Sequence, residues 1–508
     1  MKKTGLLLLI VLMVSLTGCT EKNKGIEPAT VPVEETKEDT LKITVMVNET
    51  LLTRENGQDA FIARLEEMTG CEIEIIQPDH TAYYDEVGQA FSSNRWPDVV
   101  LLGSTYYAGY ASEKILWDMT EIYEQSKLKE RIENQNLIDA LRINGLLYGI
   151  PATRGNGCVT YVKKAWLDRV GMDTPTNFEE YMEMCRAFTV GDPDGNGVDG
   201  DTYALSAPGL MGSEAPYTNY LPEFYQDANP SFYRDDDGVW HDGFAEQPMR
   251  DALQRLQDAY TEGLLDKETL TNSTSDCRNK FFEDRFGVFT YWAGSWENTI
   301  RESLIANGLD GELVVLPPLW EDGFYVERMT PCWCITEACE NPEAVFHQFI
   351  EPMLDGGDVE FLWTYGVEGV HWSVDAEEIS GRTYQSGEFH MRESMETEGV
   401  PYTKVYIDPG LALVPLTLTD STIPDPTKII LGEDAKESLD MFFQNCRMAD
   451  LLISTEEMIQ YNRNLLKLKN EIIAKVVMGS MSVEEGMEKF EKDRGMEWSR
   501  LIVDSLNR

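Results

Sequence analysis

The stretch from Asn144 to Asn177 reads NGLLYGIPATRGNGCVTYVKKAWLDRVGMDTPTN. A short apolar run ending in Gly149-Ile150-Pro151 gives way to a few bridging residues broken by two glycines, and then to a second apolar strand that ends beyond Tyr161. A K-x-W-L helix follows, and Gly171 and the Pro175-Thr176 turn close it, because glycine suits a helix C-cap and proline cannot continue a helix.

Upstream of this stretch the pattern is a strand, a helix and a strand. Leu41 to Val47 (LKITVMV) is rich in β-branched residues; Gln58 to Gly70 carries Phe61, Ile62, Leu65 and Met68 on one helical face; Cys71 to Gln77 (CEIEIIQ) alternates. A helix over Tyr83 to Asn94 leads to the apolar strand Pro97 to Gly103, and repeated βαβ units of this kind imply a mostly parallel sheet. Such sheets bind ligands beyond the carboxyl ends of their strands, where Ser104 to Tyr107 (STYY) lies. Downstream, helical patterns recur at Phe178 to Val190, Gln247 to Gly263, Asn341 to Leu354, Ala435 to Leu452 and Glu456 to Met478. Arg285 to Tyr291 and Gly311 to Leu316 read as strands, and Ser482 to Asn507 as a charged outer helix.

The chain has 508 residues, and its first nineteen, MKKTGLLLLIVLMVSLTGC, have the layout of an export signal: two lysines, an apolar run, then small residues. Residues 20–40 contain two prolines, six acids and few large apolar side chains, which predicts an unfolded tether. The remaining stretch of about 470 residues is too long for one core and predicts two large lobes. With 43 basic and 89 acidic residues the net charge is −46, which repels phosphate backbones and excludes nucleic acid as a partner. Beyond Cys19 the cysteines (Cys71, Cys158, Cys185, Cys277, Cys332, Cys334, Cys339 and Cys446) lack framework spacing. The cluster PCWCITEAC (Pro331 to Cys339) has no second Cys or His pair at zinc-finger spacing, so no zinc site is expected.

Two resemblances extend this reading. Leu16-Thr17-Gly18-Cys19 resembles the lipobox of bacterial lipoproteins, which implies cleavage before Cys19, a lipid on that residue and a place on the extracellular face of the cell membrane. The opening stretch resembles the lobe-crossing segment of the extracellular solute-binding proteins of ABC importers, in the sugar-binding group that includes maltose-binding protein. Further matches keep the same order: Pro97 to Thr120 before it, then NKFFEDRFGVFTYWAGSWEN (Asn279 to Asn298), LVVLPPLWEDG (Leu313 to Gly323) and LWTYGVEGVHWS (Leu362 to Ser373). The resemblance implies an α/β fold of type II, like that of the periplasmic binding proteins: two lobes joined by crossing strands and closing by a hinge on a ligand in the cleft between them. On this reading residues 41–150 with 287–338 form the first lobe and 151–286 with 339–508 the second. The implied partners are a carbohydrate and the permease subunits of an ABC transporter, with membrane contact through the lipid alone and a monomeric chain.

A sugar presents apolar C–H faces and a rim of hydroxyls, so its site needs aromatic platforms and fixed polar groups. Trp292 and Trp296, in YWAGSWEN, fall where relatives carry a stacking tryptophan, and Tyr106 lies at a strand's carboxyl end. Tyr365, Glu368 and Trp372 share the segment YGVEGVHW, and Arg154, just past the first crossing strand, could fork to hydroxyls or to an acidic sugar. Each of these residues has an ordinary alternative in core packing, turn bracing or surface ion pairing.

The loop GDPDGNGVDGD (Gly191 to Asp201) places Asp192, Asp194 and Asn196 at positions one, three and five of an EF-hand-like loop, with the Val198 carbonyl at seven. Tyr203 stands where the bidentate glutamate belongs, so Asp201, or else Asp199, would complete the set. Oxygen-only ligands predict a structural Ca2+ on the second lobe, away from the cleft. The sequence holds no G-x-S-x-G, no H-E-x-x-H and no phosphate-binding P-loop, and five histidines without metal spacing, so a binder is expected rather than an enzyme. The competing readings are a surface-anchored glycoside hydrolase and a ligand-sensing lipoprotein for a membrane kinase.

Overall fold

The computed structural model describes residues 40–48, 52–79, 82–211, 220–379, 381–392, 396–397, 400–401 and 410–508. The signal segment, Cys19 and the tether up to residue 39 lie outside the described residues. None of the described helices is long and apolar enough to cross a membrane.

Two sheets organise the globular part. The first runs in the order Glu72–Ile76, Lys42–Met46, Val99–Leu102, Cys332–Ile335, Ile150–Pro151. The three leading strands are parallel, as their βαβ connections require, and Cys332–Ile335 inserts antiparallel beside Val99–Leu102. Glu72–Ile76 buries Ile73 and turns Glu72 and Glu74 outward, following the alternation in its sequence. The helix Gln58–Thr69 lays Phe61 and Leu65 on this sheet and ends at Gly70, whose φ of 72° is the left-handed cap that glycine adopts without strain. The second sheet has the order Leu313–Leu316, Cys158–Lys163, Phe286–Trp292, Tyr203–Leu205, with the first two pairings antiparallel and the last parallel.

Each sheet carries its own apolar core. The first gathers Val45, Val100, Trp333, Phe349 and Trp363, and the second Val162, Trp166, Phe188, Leu256, Phe289 and Ile472. A charge survives in the second core because its partners are fixed: the Lys163 Nζ, 2.6 Å from Asp284 Oδ1, donates also to the Phe281 carbonyl. Burial pushes this lysine down to about 8, and Asp284 opposes the shift.

The expected α/β architecture with two lobes is present, but the segments divide differently. The expectation assigned 287–338 to the first lobe and 339–508 to the second. Phe286–Trp292 in fact hydrogen-bonds between Cys158–Lys163 and Tyr203–Leu205, and Leu313–Leu316 extends the same sheet, so both belong to the second lobe. The segment from Cys332 through Trp363 and Tyr365 to Met391 packs in the first core, and helices Pro426–Gln444 and Glu456–Val477 return to the second. An apolar strand reads the same in either lobe; only its hydrogen-bonded neighbours assign it.

The return crossing is therefore Tyr325 to Pro331 rather than a point near 287. It runs antiparallel to the first crossing: Ala152 donates its amide to the Pro331 carbonyl at 2.8 Å and Arg328 to that of Asn156 at 2.9 Å. A third segment, Cys446–Met448, pairs in parallel with Tyr325–Glu327. The strands approach closely enough that a Cβ at Gly157 would lie 2.4 Å from the Val326 carbonyl oxygen, so no other residue fits there.

Candidate functional site

The first lobe presents aromatic rings at the carboxyl end of its sheet. Val99–Leu102 runs through Gly103 into the helix Ser104–Ser112, which raises Tyr106 to 40% exposure. Its ring lies flat on that of Tyr84, with centroids 3.8 Å apart and planes 2° from parallel. Tyr84 is anchored in turn, since its hydroxyl accepts the Gly103 amide at 3.0 Å. Burial pushes the Tyr84 phenol up, and the positive charge of Arg328 on the return crossing pulls against it.

The second lobe answers from the end of Phe286–Trp292. Strand alternation buries Tyr291 and leaves Trp292 half-buried, and Gly294 at φ 80° turns the chain into the helix Ser295–Ala306 with Trp296 in its first turn. This strand end is tied to the first crossing: Ala293 donates its amide to the Gly157 carbonyl at 3.0 Å, and Tyr161 its hydroxyl to the Trp292 carbonyl at 3.0 Å. The Arg328 guanidinium lies 4.5 Å from the centre of the Trp292 ring. Trp296 sets its ring edge-on to Tyr291 at 5.2 Å, and the Arg278 guanidinium stands 5.0 Å from its centre while donating to the Tyr291 hydroxyl at 2.8 Å.

Arg154 forms no ion pair among the described residues. Its guanidinium stacks 3.5 Å from the centre of the Phe443 ring, its amide donates to the Leu411 carbonyl, and its Nε is buried with no hydrogen-bond partner among the described residues. Arg154 and Tyr365 border a cavity of about 640 Å3 with Thr364, Asp425 and Thr427. Beneath the crossing, burial raises the Glu327 carboxyl; the Cys446 thiol, which donates to it, and the Arg154 charge counter the shift.

The YGVEGVHW segment is mostly core, which corrects the expectation of three ligand-facing side chains. Tyr365 is fully buried with its hydroxyl 3.2 Å from Thr427 Oγ1, and Trp372 is 3% exposed and donates its Nε1 to the Gly366 carbonyl. Glu368 stands exposed on the turn between them. The apolar helix Asp358–Tyr365 is sandwiched by the first core, so its aromatic residues pack inward whatever their resemblance. Sequence reading missed Tyr84, Arg278 and Arg328. Tyr84 adjoins a core tyrosine on one helix, and the arginines sit in ordinary helical and strand contexts, so no local signal marked them.

In the loop, Gly195 and Gly197 take left-handed φ values of 74° and 88° and fold the acids inward. The Asn196 side-chain amide donates to Asp194 Oδ2 at 2.8 Å and to Asp201 Oδ2 at 2.9 Å, while Gly197 donates its amide to Asp192 Oδ2. Asp192 Oδ1 is buried with no hydrogen-bond partner among the described residues, and burial raises the Asp194 carboxyl, countered by the Asn196 backbone amide and reinforced by the charge of Asp201. Val198 and Asp199 are exposed. Among the described residues no three His, Cys, Asp or Glu side chains converge to hold a metal in this conformation, and the Asn196 amide spans the gap between the two carboxylates instead. Hard-ion donors and an orphaned buried carboxylate oxygen remain compatible with calcium.

Comparison with known proteins places this geometry. Lipoprotein LipO of Bacillus subtilis (strain 168) is 26% identical over 255 residues, covering 49% of this chain and only 50% of its own length. The polygalacturonan/rhamnogalacturonan-binding protein YtcQ of the same organism is 23% identical over 387 residues, covering 72% of this chain and 74% of its own. Among solved structures the alginate-binding protein AlgQ2, determined without calcium ion, superimposes with a TM-score of 0.60 at 17% identity, over 93% of this chain and 99% of that one, and so shares the fold. The profile of the bacterial extracellular solute-binding proteins matches residues 53–317, more than half of the sequence, and the chain belongs to that family.

Proposed function

We propose that the protein is a lipid-anchored receptor on the extracellular face of the cell membrane that captures a carbohydrate between its lobes and delivers it, unreacted, to the permease subunits of an ABC transporter. One observation carries the reading: part-exposed rings from two separately cored lobes, Tyr106 on one side and Trp292 and Trp296 on the other, flank hydrogen-bonded crossing strands. Flat rings bind the C–H faces of a sugar, and a site shared by two lobes favours the closed state only when it is filled. The names of YtcQ and AlgQ2 as polysaccharide binders support a saccharide. In this reading Arg154 supplies hydrogen bonds at the hinge, Tyr365 and Trp372 pack behind the site, and Cys19 carries the lipid of a monomeric receptor. The test is a thermal-shift screen over an oligosaccharide panel with analysis of the recovered sugar. Stabilisation with the sugar intact is expected; a shortened sugar would make the protein a hydrolase, and no stabilisation by any saccharide would end the reading.

The same loop is proposed to hold a structural calcium ion through Asp192, Asp194, Asn196, the Val198 carbonyl and Asp201. Turning the Asn196 amide over would present its oxygen in place of its nitrogen, and the cation held there would relieve the repulsion among the acids. Chelation should then lower the melting temperature, and Ca2+ but not Mg2+ should restore it, since the larger ion tolerates an irregular oxygen cage. Equal melts with and without chelator would mean a self-sufficient turn.

A further inference from the structure

Every arginine of an acid-rich protein has carboxylates to choose from, and several of them take one. Arg142, Arg186, Arg301 and Arg494 are ion-paired. Arg278 is not: among the described residues its contacts are the Tyr291 hydroxyl at 2.8 Å and the rings of Tyr291 and Trp296 at 5.8 and 5.0 Å. Three acids of the same stretch are engaged elsewhere. Asp276, two residues away, closes the capping box of its own helix with Ser273, and Asp266 and Glu268 are held by Lys280. Glu297, beside Trp296 in sequence, is buried, and burial pushes its carboxyl up to about 7. The guanidinium stays half-buried, pinned by a single Nη1 bond. An arginine has five N–H donors in a planar fork that matches a carboxylate.

A sugar seated at Trp296 would bring its ring substituents within reach of this fork, which stands over the indole 5.0 Å from its centre. A neutral hydroxymethyl group would use one donor and leave the charge uncompensated, whereas a carboxylate would take two in parallel. Resting on the carbohydrate-capture reading above, we infer that Arg278 reads the carboxylate of a uronic acid residue seated on Trp296, and that the saccharide taken by this protein is acidic. The overall charge of −46 sharpens the argument, because an acidic ligand approaches a repelling surface and needs a fixed local cation to be held.

The test uses the mature chain and oligomers of galacturonate and of mannuronate, each as the free acid and as the methyl ester, beside neutral fructo- and gluco-oligosaccharides. Calorimetry should show a free acid bound at least about tenfold tighter than its ester, with the preference shrinking as salt is raised. Arg278→Gln should remove most of that preference, and Arg278→Lys, which keeps charge but not the fork, should restore part of it. Ester and acid bound alike, neutral sugars preferred, or an Arg278→Gln loss equal for both forms would overturn the inference while leaving carbohydrate capture standing. Failure of every saccharide to bind would instead remove the reading on which it rests.

Discussion

Trp333 and Trp363 of the first lobe and Trp292 and Trp296 of the second are the same residue in opposite employment. The first pair meets edge to face at 5.5 Å, with no exposed surface, and Phe61 and Phe349 close round it. The second pair sits at a strand end and a helix start, half-buried, each indole faced by an arginine rather than by an aliphatic wall. What covers a tryptophan, not its presence, separates a core from a platform. A platform also needs a rigid base, which Tyr291 and the crossing strands provide.

The contrast breaks if the two sites respond alike. Trp363→Ala should cost about 3–5 kcal/mol of unfolding free energy in urea titrations, because it empties a cavity that its neighbours cannot refill. A loss under about 1 kcal/mol would mean that the first core is loose and the comparison empty.

Titration of the acids beside each pair gives the next effect. Burial pushes Glu360, one helical turn before Trp363 and Thr364, up to about 8, while Glu297 beside Trp296 reaches about 7. A raised carboxyl binds its proton more tightly in the folded state, so stability is full below the unfolded value near 4.5 and is lost as pH climbs through the folded value. Glu360→Gln should therefore flatten the fall in stability between about pH 5 and pH 8, a change on the order of 1–3 kcal/mol. An unaltered slope in thermal melts across that range would show that Glu360 is hydrated rather than buried.

The smallest change in unliganded stability belongs to Trp296→Ala, about 1 kcal/mol for one edge contact and one cation–π contact. Its ligand-induced thermal shift should vanish nonetheless. A large loss of unliganded stability would return Trp296 to the core and erase the distinction between the lobes.

Much of this was legible before folding. The helix Phe178–Val190 begins and ends where periodicity puts it, Lys42–Met46 falls inside its β-branched run, and Glu72–Ile76 falls inside its alternating one. Local pattern suffices there because each element's burial follows its own period. Lobe assignment after Phe286 was not legible, since Phe286–Trp292 would look the same in either sheet. The helical pattern over Ala435 to Leu452 also ran on too far: the helix ends at Gln444, and Cys446–Met448 is drawn into pairing with Tyr325–Glu327. Of the aromatic candidates, Tyr106, placed after a strand, stays exposed, whereas Tyr365 and Trp372 looked equivalent to it and are buried.

The sequence by itself determined that the chain is acidic and built from βαβ units, that its length needs two cores, and that its aromatic runs follow strand ends. These are properties of composition and period, which neighbours in the chain decide. Tertiary structure alone decided which lobe each late strand joins, which rings stay uncovered, and that Arg278 and Arg328 stand over tryptophans 18 residues on and 36 residues back. Those facts depend on what long-range packing brings against each side chain, and no local spacing encodes it.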